Sequence, residues 1–186
     1  MLNGALFALN WRHVQSDLIG SDGLVATINA GNANNFGGEE TLTLASRSVS
    51  VELGVTRQHG RLVSSTLVSG QDLRLPVLPD ISKRSRFSYR RAIGVWTTDA
   101  YVTANYSGPA CLSFDPKLDR TIPAHFVTNT GVGVGRANWR VGLSVSNIFN
   151  VQQDTFSFGN PFTIHSTQKH TPYQPRTATL RIERHF

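Results

Sequence analysis

The stretch of the chain that decides the fold reads Trp139-Arg-Val-Gly-Leu-Ser-Val-Ser-Asn-Ile-Phe-Asn150. Bulky apolar residues alternate with polar or small ones through its first eight positions, and the alternation stops at Asn147. Successive side chains of a β-strand point to opposite faces of a sheet, so this pattern predicts a strand with one apolar and one polar face. A second alternating stretch, residues 177–186, closes the sequence.

The same period of two recurs along the whole chain, without a segment of helical periodicity. It predicts strands at residues 4–14, 38–46, 48–56, 83–93, 100–106, 124–135, 139–146 and 177–186. Short turns are expected near 46–48, 94–97 and 135–138, and long polar connections through 17–36, 60–82, 108–123 and 150–174. Short turns on one side and long connections on the other are typical of outer-membrane barrels.

Composition supports the same fold class. Only 39% of the 186 residues are hydrophobic, and no stretch approaches the roughly 18 consecutive apolar residues that a membrane helix needs. A membrane protein with this sequence must therefore cross with strands, whose hydropathy signal is weak. The fold class predicted is all-β: an antiparallel transmembrane β-barrel segment of about eight up-and-down strands, in one domain spanning residues 1–186.

The formal charge of +6 comes mainly from arginine and suggests an anionic partner. The densest basic run, residues 83–91, has interleaved aromatic residues, as a nucleic-acid patch would. Strand alternation instead places its arginines on one face and Phe87 and Tyr89 on the other. This favours lining of a water-filled interior, or structural ion pairing, over nucleic-acid binding. The candidate lumen-facing residues are Arg84, Arg86, Arg90, Arg140 and Arg181.

No catalytic, cofactor or metal site is expected. The run Gly131-Val-Gly-Val-Gly-Arg136 lacks the third glycine of a dinucleotide fingerprint and precedes a strand instead of a helix, so its glycines are expected to keep bulk low within a strand. Cys111 is the single cysteine, which excludes an intrachain disulfide. His165 and His170 share a connection but have no carboxylate or thiol placed with them to complete a metal site. The chain is not expected to be an enzyme.

The three tryptophans, Trp11, Trp96 and Trp139, lie near the ends of predicted strands. Tryptophan is enriched at both membrane–water interfaces, so these residues are expected to form part of an interfacial girdle. The alternative is that they pack a core.

Short motifs occur in order along the chain. They are Asn10-Trp-Arg12 with Gln15, Asn29-Ala-Gly-Asn-Ala33 leading to Gly38-Glu-Glu40, Leu78-Pro-Asp80 followed by Arg86-Phe-Ser88, Asn105-Tyr-Ser-Gly108, Asn147-Ile-Phe-Asn150, Phe158-Gly-Asn-Pro-Phe162, Pro175-Arg176 and terminal Phe186. Together, from about residue 5 to the end, they resemble the C-terminal part of the barrel of a TonB-dependent outer-membrane receptor.

That resemblance implies a barrel of about 22 strands closed by a plug, which actively imports a scarce ligand such as a ferric siderophore. It places the protein in the outer membrane of a Gram-negative bacterium. The partners implied are outer-membrane lipid, the barrel assembly machinery, and the rest of the receptor barrel with its plug. The ligand implied is an anionic metal chelate, which would suit a face lined with arginines. No nucleic acid is implied. The assembly signal would consist of Ala178, Leu180, Ile182 and Phe186, while Arg184 departs from its pattern.

Two departures from the family limit this interpretation. Eight strands, with no plug, are far fewer than the resembled barrel has, and the first residues lack the pattern of a secretory signal. The expectation is therefore a C-terminal portion, truncated or excised, and inactive alone. Two alternatives stay open. One is an autonomous eight-stranded outer-membrane barrel serving as an adhesin or anchor, although the five arginines would crowd the narrow interior of such a barrel. The other is a soluble β-sandwich binding module.

Overall fold

The computed structural model describes residues 1–19, 24–66, 73–114, 121–152 and 172–185. The strands in these ranges are β1 (Leu2–Ile19), β2 (Val25–Ala45), β3 (Val49–Ser65), β4 (Ile81–Ile93), β5 (Trp96–Ser107), β6 (Ala110–Cys111), β7 (Thr121–Ile122), β8 (His125–Arg136), β9 (Trp139–Ser146) and β10 (Thr177–Arg184). No helix in the described ranges has the length and apolar character needed to span a membrane.

Eight of these strands form one antiparallel sheet in the order β1-β2-β3-β4-β5-β8-β9-β10, while β6 and β7 pair only with each other. Each long strand therefore lies beside its neighbour in sequence, which confirms the predicted all-β, up-and-down arrangement. The sheet is not closed: within the described residues β1 pairs only with β2, and β10 only with β9.

Short turns join the strands at one end of the sheet. Residues 46–48, 94–95 and 137–138 connect β2 to β3, β4 to β5 and β8 to β9, which confirms three predicted turns. Gly94 opens a two-residue turn with φ +60°, a conformation that glycine adopts without strain. The connections after β3, β5 and β9 are long and lie at the opposite end, as predicted, but the connection between β1 and β2 at that end has only five residues.

The prediction of a long connection over residues 17–36 is wrong. β1 and β2 continue through this region as one hairpin, paired as far as Ile19 with Val25. β3 likewise extends to Ser65, into the connection predicted from residue 60. The asparagines and glycines of this region suggested a loop, but a bulge between Trp11 and Val14 accommodates the irregular sequence within the ladder.

A small apolar core lies at the long-connection end. Val14, Ala30, Ala33, Leu62 and Phe114 are buried there, with Leu75 packed against them. Phe114 comes from the connection after β5, so this connection folds back onto β1, β2 and β3. Elsewhere in the described ranges no second sheet covers the eight-stranded one, and two packed sheets are what a β-sandwich requires. The soluble sandwich is therefore not the fold.

Candidate functional site

Strand register places the five predicted arginines on one face of the sheet. Arg84, Arg86 and Arg90 alternate along β4, and register carries the same face through β5 and β8 to Arg140 on β9 and Arg181 on β10. We call this the polar face. The alternation seen in the sequence is thus preserved across five strands that are far apart in the chain.

Three of these arginines lie beside carboxylates. Arg84 Nε lies 3.6 Å from Glu52 Oε1, and Arg181 Nη1 lies 3.5 Å from Glu183 Oε1. Arg140 Nη2 is paired with Asp99 Oδ1, and this pair is the least exposed of the three. Exposed pairs of this kind contribute at most about 1 kcal/mol each to stability. Their main consequence is that the polar face is only partly cationic.

Arg86 and Arg90 carry the remaining positive charge of this set. Arg86 Nε donates a hydrogen bond to Ser88 Oγ at 3.2 Å, and its guanidinium lies 5.7 Å from the centre of the Tyr101 ring. Arg90 stands opposite Asp99 in the register, whose carboxylate is already paired with Arg140. Among the described residues, neither Arg86 nor Arg90 has a carboxylate within ion-pair distance.

Glycines make room for these side chains. A Cβ added at Gly131 would lie 2.5 Å from Cε1 of Tyr101, and one at Gly133 would lie 2.9 Å from Oδ1 of Asp99. The glycine run therefore keeps bulk low within a strand, as the sequence predicted, so that Tyr101, Asp99 and Arg140 can lie across it. The result is a shallow depression of about 360 Å³ on the polar face.

The opposite face carries exposed large apolar side chains, and we call it the apolar face. They include Leu143, Val132 and Val102 on central strands, and Leu180, which is 64% exposed, on β10. Contiguous exposed apolar surface of this extent marks a membrane or partner contact. Ala178, Leu180 and Ile182 lie on this face by register, whereas Phe186 lies outside the described residues.

Cation–aromatic pairs border the apolar face at both ends. At the short-turn end, Arg136 lies 5.1 Å from the Trp96 ring and Arg184 lies 5.2 Å from the Trp139 ring. At the other end, Lys83 lies 5.8 Å from the Tyr106 ring.

The distance between these borders can be read along β5, where Trp96 and Tyr106 are ten residues apart. Ten residues span about 33 Å at about 3.3 Å each, which a strand tilt of about 40° reduces to about 25 Å. This is the height of the apolar band of an outer-membrane barrel.

The tryptophan prediction is confirmed in placement for two residues and wrong for the third. Trp96 and Trp139 lie at the short-turn border of the apolar face. Trp11 lies inside the long β1 strand and, by register with Ala33 and Leu62, on the polar face. There it lines an apolar groove of about 560 Å³ with Leu9, Val14, Leu75, Leu78 and Phe114. No pattern in the sequence indicated this groove, because its walls come from segments that are distant in the chain.

The motif Asn147-Ile-Phe-Asn150 connects three segments of the chain through hydrogen bonds of Asn147. Asn147 is only 3% exposed, and its backbone N–H donates to Asn129 Oδ1 at 2.9 Å. Its Nδ2 donates to the carbonyl oxygens of Val151 (3.1 Å) and Gln174 (2.9 Å), while its Oδ1 accepts from the Val151 N–H. Asn147 therefore joins β8, the end of β9 and the segment before β10.

Among the residues that the structure describes, no cluster of three or more His, Cys, Asp or Glu could hold a metal ion.

No family model matches the chain, and no curated protein matches it in sequence. Among solved structures, the ferric yersiniabactin uptake receptor FyuA of Yersinia pestis matches 100% of this chain with 27% of its own, at 18% identity and a TM-score of 0.82. The ferric-catecholate import receptor Fiu of E. coli K12 matches 100% of this chain with 25% of its own (21% identity, TM-score 0.74). The siderophore receptor PiuA of Acinetobacter baumannii matches 98% with 26% of its own (15% identity, TM-score 0.71).

The chain therefore spans about a quarter of the length of these receptors. They are TonB-dependent receptors, so the resemblance seen in the short motifs is confirmed at the level of the fold. At these identities the likeness shows the fold alone.

Proposed function

We propose that the chain is the C-terminal part of the barrel wall of an outer-membrane receptor for active uptake of a scarce ligand, such as a ferric siderophore. One observation carries the proposal: a single open antiparallel sheet, folded like part of a receptor barrel, has a polar face and an apolar band of membrane height. Short turns would face the periplasm and long connections the exterior of a Gram-negative cell.

In this proposal the polar face lines the barrel interior. Arg84, Arg140 and Arg181 hold its charge in ion pairs, so they support the wall more than they attract ligand. Arg86 and Arg90 keep positive potential available, which suits an anionic metal chelate. FyuA and Fiu are named for the uptake of ferric yersiniabactin and ferric catecholates, and we extend that class of cargo to this chain.

The two outer strands explain why the chain would need the rest of a receptor. β1 and β10 each leave one row of backbone N–H and C=O groups without a strand partner among the described residues. A bilayer core offers such groups no hydrogen-bonding water, so further strands must satisfy them. We propose that the remaining barrel and a plug complete the receptor, that the chain does not transport alone, and that the assembly machinery reads Ala178, Leu180, Ile182 and Phe186.

Tryptophan quenching by brominated lipid tests the membrane part of this proposal. Two variants in lipid vesicles retain either Trp139 or Trp11, with the other tryptophans changed to phenylalanine. Lipids brominated near the top of the acyl chain should quench Trp139 strongly and Trp11 weakly, because the two residues lie on opposite faces. Equal quenching, or a folded monomer that needs neither lipid nor detergent, would contradict the proposal.

The transport role needs a separate test in cells. Disrupting the gene that encodes the chain should lower uptake of radiolabelled iron supplied as a ferric catecholate or as ferric yersiniabactin, and the intact gene should restore it. Unchanged uptake of both complexes would contradict the proposed cargo class and leave the membrane assignment standing.

A further inference from the structure

We propose that the short-turn border of the apolar face binds the headgroups of anionic phospholipids. The site is the tryptophan–arginine row, defined as Trp96, Arg136, Trp139 and Arg184. The inference rests on the proposed function, because it requires the apolar face to meet lipid, and it adds a preference for lipid of one charge at one border.

Register builds the row. Trp96 pairs with Arg136, Arg136 with Trp139, and Trp139 with Arg184, on the neighbouring strands β5, β8, β9 and β10. Strands lie about 4.8 Å apart, so the three steps extend over about 14 Å, wide enough for more than one lipid headgroup. Each tryptophan ring holds one guanidinium against it, at 5.1 and 5.2 Å, which positions both cations at the edge of the apolar band.

Among the described strand residues on the face of the row, the charged side chains near the row are all cations. Arg91 lies on the same face one step inward, opposite Thr98, and adds a third cation. On the apolar face of β4, β5, β8, β9 and β10, the described residues include no Asp or Glu. Guanidinium groups bind phosphate through paired N–H donors, and a net anionic headgroup adds Coulombic attraction that a zwitterionic one lacks.

The opposite border has mixed charge. It carries two cations on the same face, Lys83 and Arg57, but the row of Lys83 runs through Val55 to Glu40, so an acidic residue accompanies the basic ones. The preference for anionic lipid is therefore expected at the short-turn border, which the proposed orientation places in the periplasmic leaflet.

Lipid capture in mixed micelles tests the inference on the full chain. The chain is purified from detergent containing equal amounts of phosphatidylglycerol and phosphatidylcholine, and the bound lipids are quantified by mass spectrometry. Wild type should enrich phosphatidylglycerol several-fold. Arg136→Gln with Arg184→Gln should bring the ratio of the two bound lipids close to their bulk ratio, because the charges that favour the anionic headgroup are then removed.

The matched control is Lys83→Gln with Arg57→Gln, which removes the same charge from the same face at the other border. It should keep the enrichment, and so should Arg136→Lys with Arg184→Lys. If the Gln pair fails to fold, raising the salt concentration on wild type should lower the enrichment by screening.

The outcomes separate the two proposals. A chain that shows β circular dichroism in micelles but binds the two lipids in their bulk ratio contradicts only this inference. Equal loss in the Arg136/Arg184 and Lys83/Arg57 variants contradicts it as well, because it would show a diffuse charge effect. A chain that forms the same β-structure without micelles as with them contradicts the proposed function and this inference with it.

Discussion

Asn147 holds the end of β9 through bonds to three separate segments, and its side chain is almost fully buried. Asn147→Ala keeps the backbone bond to Asn129 but leaves the Val151 and Gln174 groups without their partner. We expect the free energy of unfolding to fall by about 2–3 kcal/mol, since the side chain loses three hydrogen bonds that contribute about 0.5–1.5 kcal/mol each. Urea unfolding in detergent micelles, followed by tryptophan fluorescence, measures the change.

The control for this prediction is Asn138→Ala. Asn138 is exposed in a short turn, and its side chain makes no hydrogen bond to the part of the chain that the structure describes. Its substitution should change the unfolding free energy by less than about 0.5 kcal/mol. A similar loss of unfolding free energy in both variants would show that the hydrogen bonds of Asn147 do not stabilise the end of β9.

Gly131 makes room for the Tyr101 ring, and this room is needed on the polar face. Gly131→Ala forces the ring away, because the new Cβ would lie 2.5 Å from Cε1 of Tyr101. We expect a loss of about 1–3 kcal/mol of stability, as for other overpacked sites. The same unfolding measurement applies, with loss of near-ultraviolet circular dichroism from Tyr101 as a second signal.

Gly135→Ala is the matched control, on the same strand and face. The nearest atom to its new Cβ would be the Trp139 carbonyl oxygen at 3.5 Å, an ordinary contact. We expect this variant to be neutral or slightly stabilising, because alanine is less flexible in the unfolded chain. A destabilisation equal to that of Gly131→Ala would show that the glycines serve the strand backbone and not the ring.

At the level of the strand, β10 separates the two faces within neighbouring residues. Leu180 lies on the apolar face and Thr179 on the polar face, and both side chains are exposed. Leu180→Arg should destabilise the lipid-embedded chain by about 2–4 kcal/mol, since an arginine facing lipid near mid-bilayer costs that much. Thr179→Arg should cost little, because it faces water. Unfolding from lipid vesicles measures both, and equal effects would contradict the assignment of faces.

The strands show why some elements could be predicted and others could not. Alternation is local, so residues 139–146 and the face of Arg84, Arg86 and Arg90 could be predicted without knowledge of any partner strand. The hairpin of β1 and β2 could not, because its asparagines and glycines weaken the local signal and only pairing between the strands holds the ladder.

Ion-pair partners were hidden from the sequence for a related reason. Arg140 and Asp99 are 41 residues apart, and Arg84 meets Glu52 on a different strand. Which acid faces which arginine depends on strand register, and a shift of one residue would move either side chain to the other face. The arginines of the candidate site were therefore predictable, but their partial neutralisation was not.

At the scale of the whole molecule, the central feature is a sheet with one face suited to water and the other suited to lipid. Ion pairs, glycines and small polar residues cover one face, and an apolar band with cation–aromatic borders covers the other. Of the short motifs that predicted a receptor barrel, Asn105-Tyr-Ser-Gly108 lies at the end of β5 and Asn147-Ile-Phe-Asn150 directly follows β9, whereas Asn10-Trp-Arg12 lies within β1. The open edges and the apolar groove beside Phe114 became visible only when distant segments were brought together.

A nitroxide scan of β9 in lipid vesicles tests whether one face of the sheet meets lipid and the other meets water. Cysteines placed singly at residues 139–146, in a Cys111→Ser background, are spin-labelled, and their collision rates with oxygen and with a water-soluble nickel complex are measured. Residues 139, 141, 143 and 145 should favour oxygen, which concentrates in lipid, while residues 140, 142, 144 and 146 should favour nickel. Equal accessibility at adjacent positions, or the opposite phase, would contradict this assignment of the two faces.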